Sequence, residues 1–143
     1  MERVLVAIVL VVLAVAVAWV IERRRAAAHG DAPTQPRNFT LPVQLDRRDF
    51  ASPDKTKLVV VFTSATCDSC AETVAKARPL ESGNVAYDEV PWQTRRDLHD
   101  RYAIDVVPAT LVADAQGVVT ASFIGRPPAA ELWAAAAAEG SGA

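Results

Sequence analysis

The sequence predicts an α/β domain, a mixed central β-sheet flanked by helices, preceded by one N-terminal transmembrane helix. Three observations carry that expectation. The apolar, β-branched run Leu58 to Phe62 reads as a strand buried on both faces, and it leads through a short polar turn, Thr63 to Thr66, into Cys67-Asp68-Ser69-Cys70 at the head of a helical stretch. Downstream, strand-like and helix-like segments alternate and finish on a β-hairpin and a helix. Upstream, Val4 to Ile21 holds eighteen residues without a charge.

Length and charge narrow the possibilities. At 143 residues the chain accommodates one folded domain. With 15 basic and 17 acidic side chains the net charge is −2, so no basic excess points to nucleic acid. Two cysteines are too few for a secreted disulfide scaffold, and no internal repeat is visible.

As a helix, Val4 to Ile21 would be about 27 Å long, close to the hydrocarbon thickness of a bilayer. The segment has no polar face, so it favours lipid on all sides, and Trp19 near one end suits the membrane interface. The rival is a cleaved signal peptide ending near Ala26-Ala27-Ala28. The run is longer than a usual signal core, Arg23, Arg24 and Arg25 intervene, and no cysteine follows to carry lipid. A retained single-pass anchor over residues 1–25 is therefore expected. The three arginines after the span outweigh Arg3 before it, which favours the cytoplasmic face for the rest of the chain. The extracytoplasmic face is the alternative.

Residues 26–38 read as a linker, with two prolines, a glycine and no periodicity, and residues 39–143 as the domain. Phe39 to Leu45 alternates weakly around Pro42 and suits a first, edge-like strand. Asp46 to Lys57 is charged and predicts a turn or short helix, then a loop. After the Leu58–Phe62 strand, a helix is expected from Cys67 to about Arg78, ended by Pro79. Val85 to Val90 is the next strand. Gln93 to Tyr102 is a short helix in which Leu98 and Tyr102, four apart, share a buried face. Arg95, Arg96, Asp97, Asp100 and Arg101 suit a solvated helix face, and His99 the surface. Pro108 precedes an apolar strand, Ala109 to Val112. Asp114 to Gly117 is a hairpin turn, Val118 to Phe123 the antiparallel return strand, and Ala129 to Glu139 a closing helix.

The cysteines carry the chemistry. The unpaired N–H groups and positive dipole end of a helix stabilise a thiolate at its first turn. Residues three apart share a helical face, so Cys67 can be exposed with Cys70 beneath it. A bridge over so short a loop removes little unfolded-state entropy, which makes a purely structural staple a poor explanation. Zinc needs about four ligands, and beyond the cysteines the chain offers only His29, in the linker, and His99. A redox pair is the preferred reading and a metal site the lesser one.

The order of elements, the Cys67-Asp68-Ser69-Cys70 pair after the central strand, Val107-Pro108 lying 38 residues beyond Cys70, and Gly125 after the hairpin together resemble the thioredoxin family over about Phe39 to Glu139. The resemblance implies a thioredoxin-like fold and a cis bond before Pro108, with the Val107 backbone free to pair with a substrate segment and Gly125 beside the active site. It implies a thiol–disulfide oxidoreductase in which Cys67 attacks and Cys70 resolves. Membrane-tethered relatives often face outward. The chain departs from the family pattern in four places. Thr66 replaces a tryptophan before the first cysteine, Asp68-Ser69 replaces Gly-Pro between the two, Val61 stands where thioredoxin has a buried acid, and Ala109 follows the proline in place of threonine. Thr66, Asp68 and Ser69 are thus candidates for redox tuning, and Asp88 a minor candidate to replace the missing acid. A carboxylate next to Cys67 disfavours a second negative charge, which with the lack of a histidine between the cysteines points to a reductant rather than an oxidant. No cofactor or metal is expected. The expected partners are protein thiols and disulfides, an electron donor and the membrane, and the chain is expected to be a monomer. The alternatives are a non-catalytic partner-binding module and a metal-handling protein using both cysteines.

Overall fold

The computed structural model describes Met1, residues 13–17 and residues 39–138. The chain divides into two units, Met1–Arg37 and Asn38–Ala143. In the first, residues 13–17 are helical, and Leu13, Val15 and Val17 are exposed. The rest of the expected span over residues 4–21, and the linker, lie outside the described residues. No helix among the described residues is long and apolar enough to cross a membrane.

The second unit is built on a four-stranded sheet. Its elements are β1 (Lys57–Thr63), α1 (Cys70–Ala77), β2 (Val85–Pro91), α2 (Arg96–Arg101), β3 (Ala109–Asp114), β4 (Val119–Ile124) and α3 (Ala129–Ala137), with 3-10 turns at Arg47–Asp49 and Arg78–Leu80. The strand order is β2-β1-β3-β4. β1 runs parallel to β2 and antiparallel to β3, and β4 returns antiparallel beside β3.

The apolar run of β1 is explained by its central place. Leu58, Val60 and Phe62 face one core with Phe50, Leu98, Tyr102 and Ile104. Val59 and Val61 face a second core with Ala77 of α1 and Leu132 and Ala136 of α3. Residues 58 to 62 are all fully buried, as a strand covered on both faces requires. The edge strand β4 instead alternates half-buried Val119, Ala121 and Phe123 with exposed Thr120, Ser122 and Ile124. The indole N–H of Trp133 donates to the Lys76 carbonyl at 3.0 Å, tying α3 to α1.

Several expectations shift. Phe39 to Leu45 forms a single bridge, Gln44 to Val118, rather than a strand. Two backbone bonds, from Leu45 N–H to Gly117 O and from Val119 N–H to Val43 O, dock it on the hairpin. Gly117 meets two demands there. Its φ is +83°, and a Cβ would stand 2.0 Å from the Leu45 carbonyl oxygen, so a side chain would be both strained and obstructed. α1 begins at Cys70 instead of Cys67, because the preceding residues close a turn in which Cys67 N–H donates to Ser64 O and Cys70 N–H to Cys67 O. α1 ends at Ala77, and Pro79 sits inside the following 3-10 turn. α2 starts at Arg96, not Gln93, since Thr94 and Arg95 donate back to Pro91 O in a turn.

Two polar side chains also differ from expectation. His99 is fully buried, its Nε2 2.8 Å from Val90 O and its ring edge-on to Phe62 and Trp92. It lies next to Leu98 on the part of α2 that packs on the sheet. Arg95 is no solvated side chain: it pairs with Asp88 at 2.8 Å and donates to Asp49 O. Arg101 reaches Asp49 at 3.2 Å. These contacts staple α2 to the segment before β1.

Tyr102 completes that staple. Its hydroxyl donates to Asp49 Oδ2 at 2.5 Å and accepts from Asp46 N–H at 2.9 Å. Burial, and then the bond to Asp49, push its pKa up to about 12 from 10.0. The folded state therefore holds the phenol proton more tightly than the unfolded state. The resulting stabilisation is complete below pH 10 and is lost as pH rises towards 12. Urea unfolding should show stability falling by about 2 kcal/mol across that window in the wild type, with Tyr102→Phe lacking this contribution to the slope. An unchanged alkaline slope in the variant would refute the assignment.

Candidate active site

Three loops meet at one end of the sheet. Phe62 pairs with Ala109, and Ala109 with Ile124, so the chain leaves β1, enters β3 and leaves β4 at the same end. The loop after β1 carries Cys67 to Cys70, the one before β3 carries Val107-Pro108, and the one after β4 carries Gly125. The Val107–Pro108 bond is cis. Gly125, at φ +80°, donates its N–H to Pro108 O at 2.8 Å. Neither the N–H nor the C=O of Val107 has a hydrogen-bond partner among the described residues, and its side chain is half-buried.

Cys67 and Cys70 form a disulfide, with Cα atoms 5.4 Å apart. Cys70 is buried on the inner face of α1 with Thr73 and Ala77, while Cys67 is half-buried and borders solvent. The asymmetry matches the sequence reading, although Cys67 reaches its place through a turn rather than a helical face. Ser69 is the N-cap of α1, yet its hydroxyl makes no capping bond; it lies 3.8 Å from Cys67 Sγ instead. Asp68 and Thr66 are exposed, and Thr66 Oγ1 lies 3.3 Å from Ser64 Oγ. Gln93 braces this loop from the turn after β2: its Oε1 accepts from Ala65 N–H at 3.1 Å and its Nε2 donates to Ser64 Oγ at 3.2 Å.

Two concavities flank the cysteines. A cleft of about 470 Å³ is lined by both cysteines with Thr63, Val74, Glu89 and Gln93, among others. A groove of about 530 Å³ is lined by Ser64, Trp92, His99, Ile104, Asp105 and Val107, with Asp100 at its rim. Ser64 borders both, which makes the free backbone of Val107 and the half-exposed Cys67 parts of one surface. Trp92 carries the Arg96 guanidinium over its ring at 4.8 Å, and Tyr87 is buried in the second core.

Asp88 is corrected by this geometry. It pairs with Val60, on the sheet face opposite α1, and is held by Arg95 and by Ala51 N–H. Its neighbour Glu89 pairs with Val61 and so faces α1. Sequence reading passed over Glu89, Gln93, Ser64 and the groove face of His99. Nothing in the sequence marks Glu89, because the β1–β2 register that sets it beside Val61 is a feature of the folded sheet. Among the described residues no three His, Cys, Asp or Glu side chains come together as metal ligands.

No family model and no curated protein matches this chain. Solved structures do. A mutant thioredoxin of Halobacterium salinarum aligns at TM-score 0.52 and 19% identity, over 65% of this chain and 83% of that one. Thioredoxin-2 of a malaria parasite aligns at TM-score 0.50 and 16% identity, over 55% and 79%. At these identities the likeness establishes the fold, which is thioredoxin-like.

Proposed function

From a thioredoxin-like fold with a cysteine disulfide at one end of its sheet, we propose that this chain is a membrane-anchored thiol–disulfide oxidoreductase that reduces protein disulfides. The observation that carries the reading is the half-exposed Cys67 bonded to the buried Cys70 on the surface that also presents the free backbone of Val107. In the reduced chain the Cys67 thiolate attacks one sulfur of a substrate disulfide. A Cys67–substrate bond forms, and the substrate's other sulfur leaves as thiolate. Cys70 then attacks Cys67, restoring the Cys67–Cys70 disulfide and releasing the second substrate sulfur. Two electrons pass from the cysteine pair to the substrate, and an external dithiol donor must return them. The substrate lies extended against Val107, whose N–H and C=O are open to strand addition, with Pro108 and Gly125 shaping that edge.

Two neighbours tune Cys67. The Ser69 hydroxyl, 3.8 Å from its sulfur, is positioned to donate to the thiolate. The Asp68 carboxylate opposes the same charge, and Thr66 borders the turn. The balance favours a reductant, with a potential nearer the thioredoxin value of about −270 mV than the about −120 mV of a strong oxidant. The test is the reduced full chain in detergent, which should reduce insulin and equilibrate with a glutathione buffer well below about −200 mV. A potential above roughly −180 mV would overturn the direction, and no insulin reduction at all would leave only a partner-binding module.

The apolar run of residues 4–21 supports the anchor, as do the exposed apolar side chains of the helical residues 13–17. Arg23, Arg24 and Arg25 favour a cytoplasmic face for the domain.

A further inference from the structure

We propose that Glu89 takes the proton from Cys70 during the resolving step. The inference rests on the exchange reaction above and assigns a residue to a part of it that the cysteines cannot supply. The thiolate is the attacking form of a cysteine, so Cys70 must lose a proton before it can attack Cys67. Cys70 is buried at 5% exposure, which restricts its access to bulk solvent as an acceptor. An acceptor on the cleft that borders the two sulfurs is therefore the nearer one.

Among the described residues, Glu89 is the one carboxylate lining the cleft that both cysteines line. Its placement follows from the sheet. β1 and β2 are parallel with Val61 opposite Glu89 and Thr63 opposite Pro91, so Glu89 rises on the face that α1 covers and Cys70 heads that helix. Its carboxylate is oriented as well as placed. Thr63 Oγ1 donates to Glu89 Oε1 at 3.1 Å, and the Arg78 guanidinium lies 3.7 Å from Oε2. The other nearby acids are excluded by position. Asp68 is exposed beside Cys67, Glu72 is exposed and pairs with Lys76 and Arg126, and Asp88 is tied to Arg95 on the opposite face of the sheet.

The step balances. The Cys70 proton passes to the Glu89 carboxylate, directly or across one water of the cleft. The Cys70 thiolate forms the bond to Cys67 as the Cys67–substrate bond breaks, and the departing substrate sulfur takes the proton from Glu89. The base is regenerated, and no further oxidant or reductant enters.

A chromogenic aromatic disulfide separates the two steps. It releases one coloured thiolate when Cys67 attacks and a second when Cys70 resolves. With the reduced full chain in detergent, Glu89→Gln should slow the second release by about 100-fold, the lower end of what a general base supplies, and leave the first within about twofold. Glu89→Ala should do the same, and added formate should restore its second release, which a structural role for Glu89 would not produce. Wild-type rates of second release in Glu89→Gln, equal slowing of both releases, or a Glu89→Ala variant indifferent to formate would each overturn the assignment. If the wild type releases neither thiolate, the oxidoreductase reading itself fails.

Discussion

Cys70→Ser is expected to stop turnover and to leave the chain covalently joined to its substrates. The variant keeps the attacking Cys67 but lacks the buried sulfur that would displace the substrate, so the mixed disulfide accumulates instead of decaying. Serine replaces one atom at a site that is already 5% exposed, and the helix it opens retains the bond from its N–H to Cys67 O. Cys67→Ser is expected to lose both reactions, because the half-exposed sulfur is the one a substrate reaches. Non-reducing electrophoresis of cells expressing each variant, followed by mass spectrometry of the adducts, reads both outcomes. Adducts in Cys70→Ser that vanish in the double serine variant support the assigned order of attack. Equal adducts on Cys67→Ser and Cys70→Ser would reverse or abolish it. The adducts also name the substrates, which on the proposed reading lie extended beside Val107.

The largest effect on stability is expected at Phe62. Its ring is fully buried, with the Phe50 ring edge-on at 6.5 Å, Tyr102 at 6.4 Å and His99 at 5.1 Å. Phe62→Ala would leave a cavity bounded by three rings from two segments: Phe50 in the stretch before β1, and His99 and Tyr102 in α2 and its C-cap. Those segments are held in place by the sheet and by the Arg95 and Tyr102 staples, so they cannot collapse far into the space. A cost of about 3–5 kcal/mol follows, a large share of the roughly 5–15 kcal/mol typical of a domain. Urea titration of wild type and variant measures it, and a loss below about 1 kcal/mol would mean that the core repacks.

The two examples mark how far local pattern reaches. Phe62 was legible as core because five consecutive apolar, mostly β-branched residues suit a strand covered twice, and the covered strand is what the sheet holds. The cysteines were legible because their spacing and neighbours follow from chain chemistry alone. His99 was not. One histidine on a helix carries no mark of which side it faces, and burial here depends on α2 lying across Phe62 and Trp92. Arg95 misled for a similar reason, since its partners Asp88 and Asp49 are 7 and 46 residues away in sequence. Pairings at such separations are set by which elements pack, not by the charge pattern of the helix.

By themselves, then, the apolar runs and turns determined strands β1 to β4 and the rough positions of the helices, because each depends on pattern within a few residues; the cis bond before Pro108 came from the resemblance to the thioredoxin family. Tertiary structure alone decided which acid shares the cleft with the two sulfurs. Asp88 and Glu89 are adjacent and chemically alike, and only the register of β2 against β1 turns the second of them towards Cys70. Alternation along a strand sends neighbours to opposite faces, and which face receives the helix is settled when the sheet and helices come together.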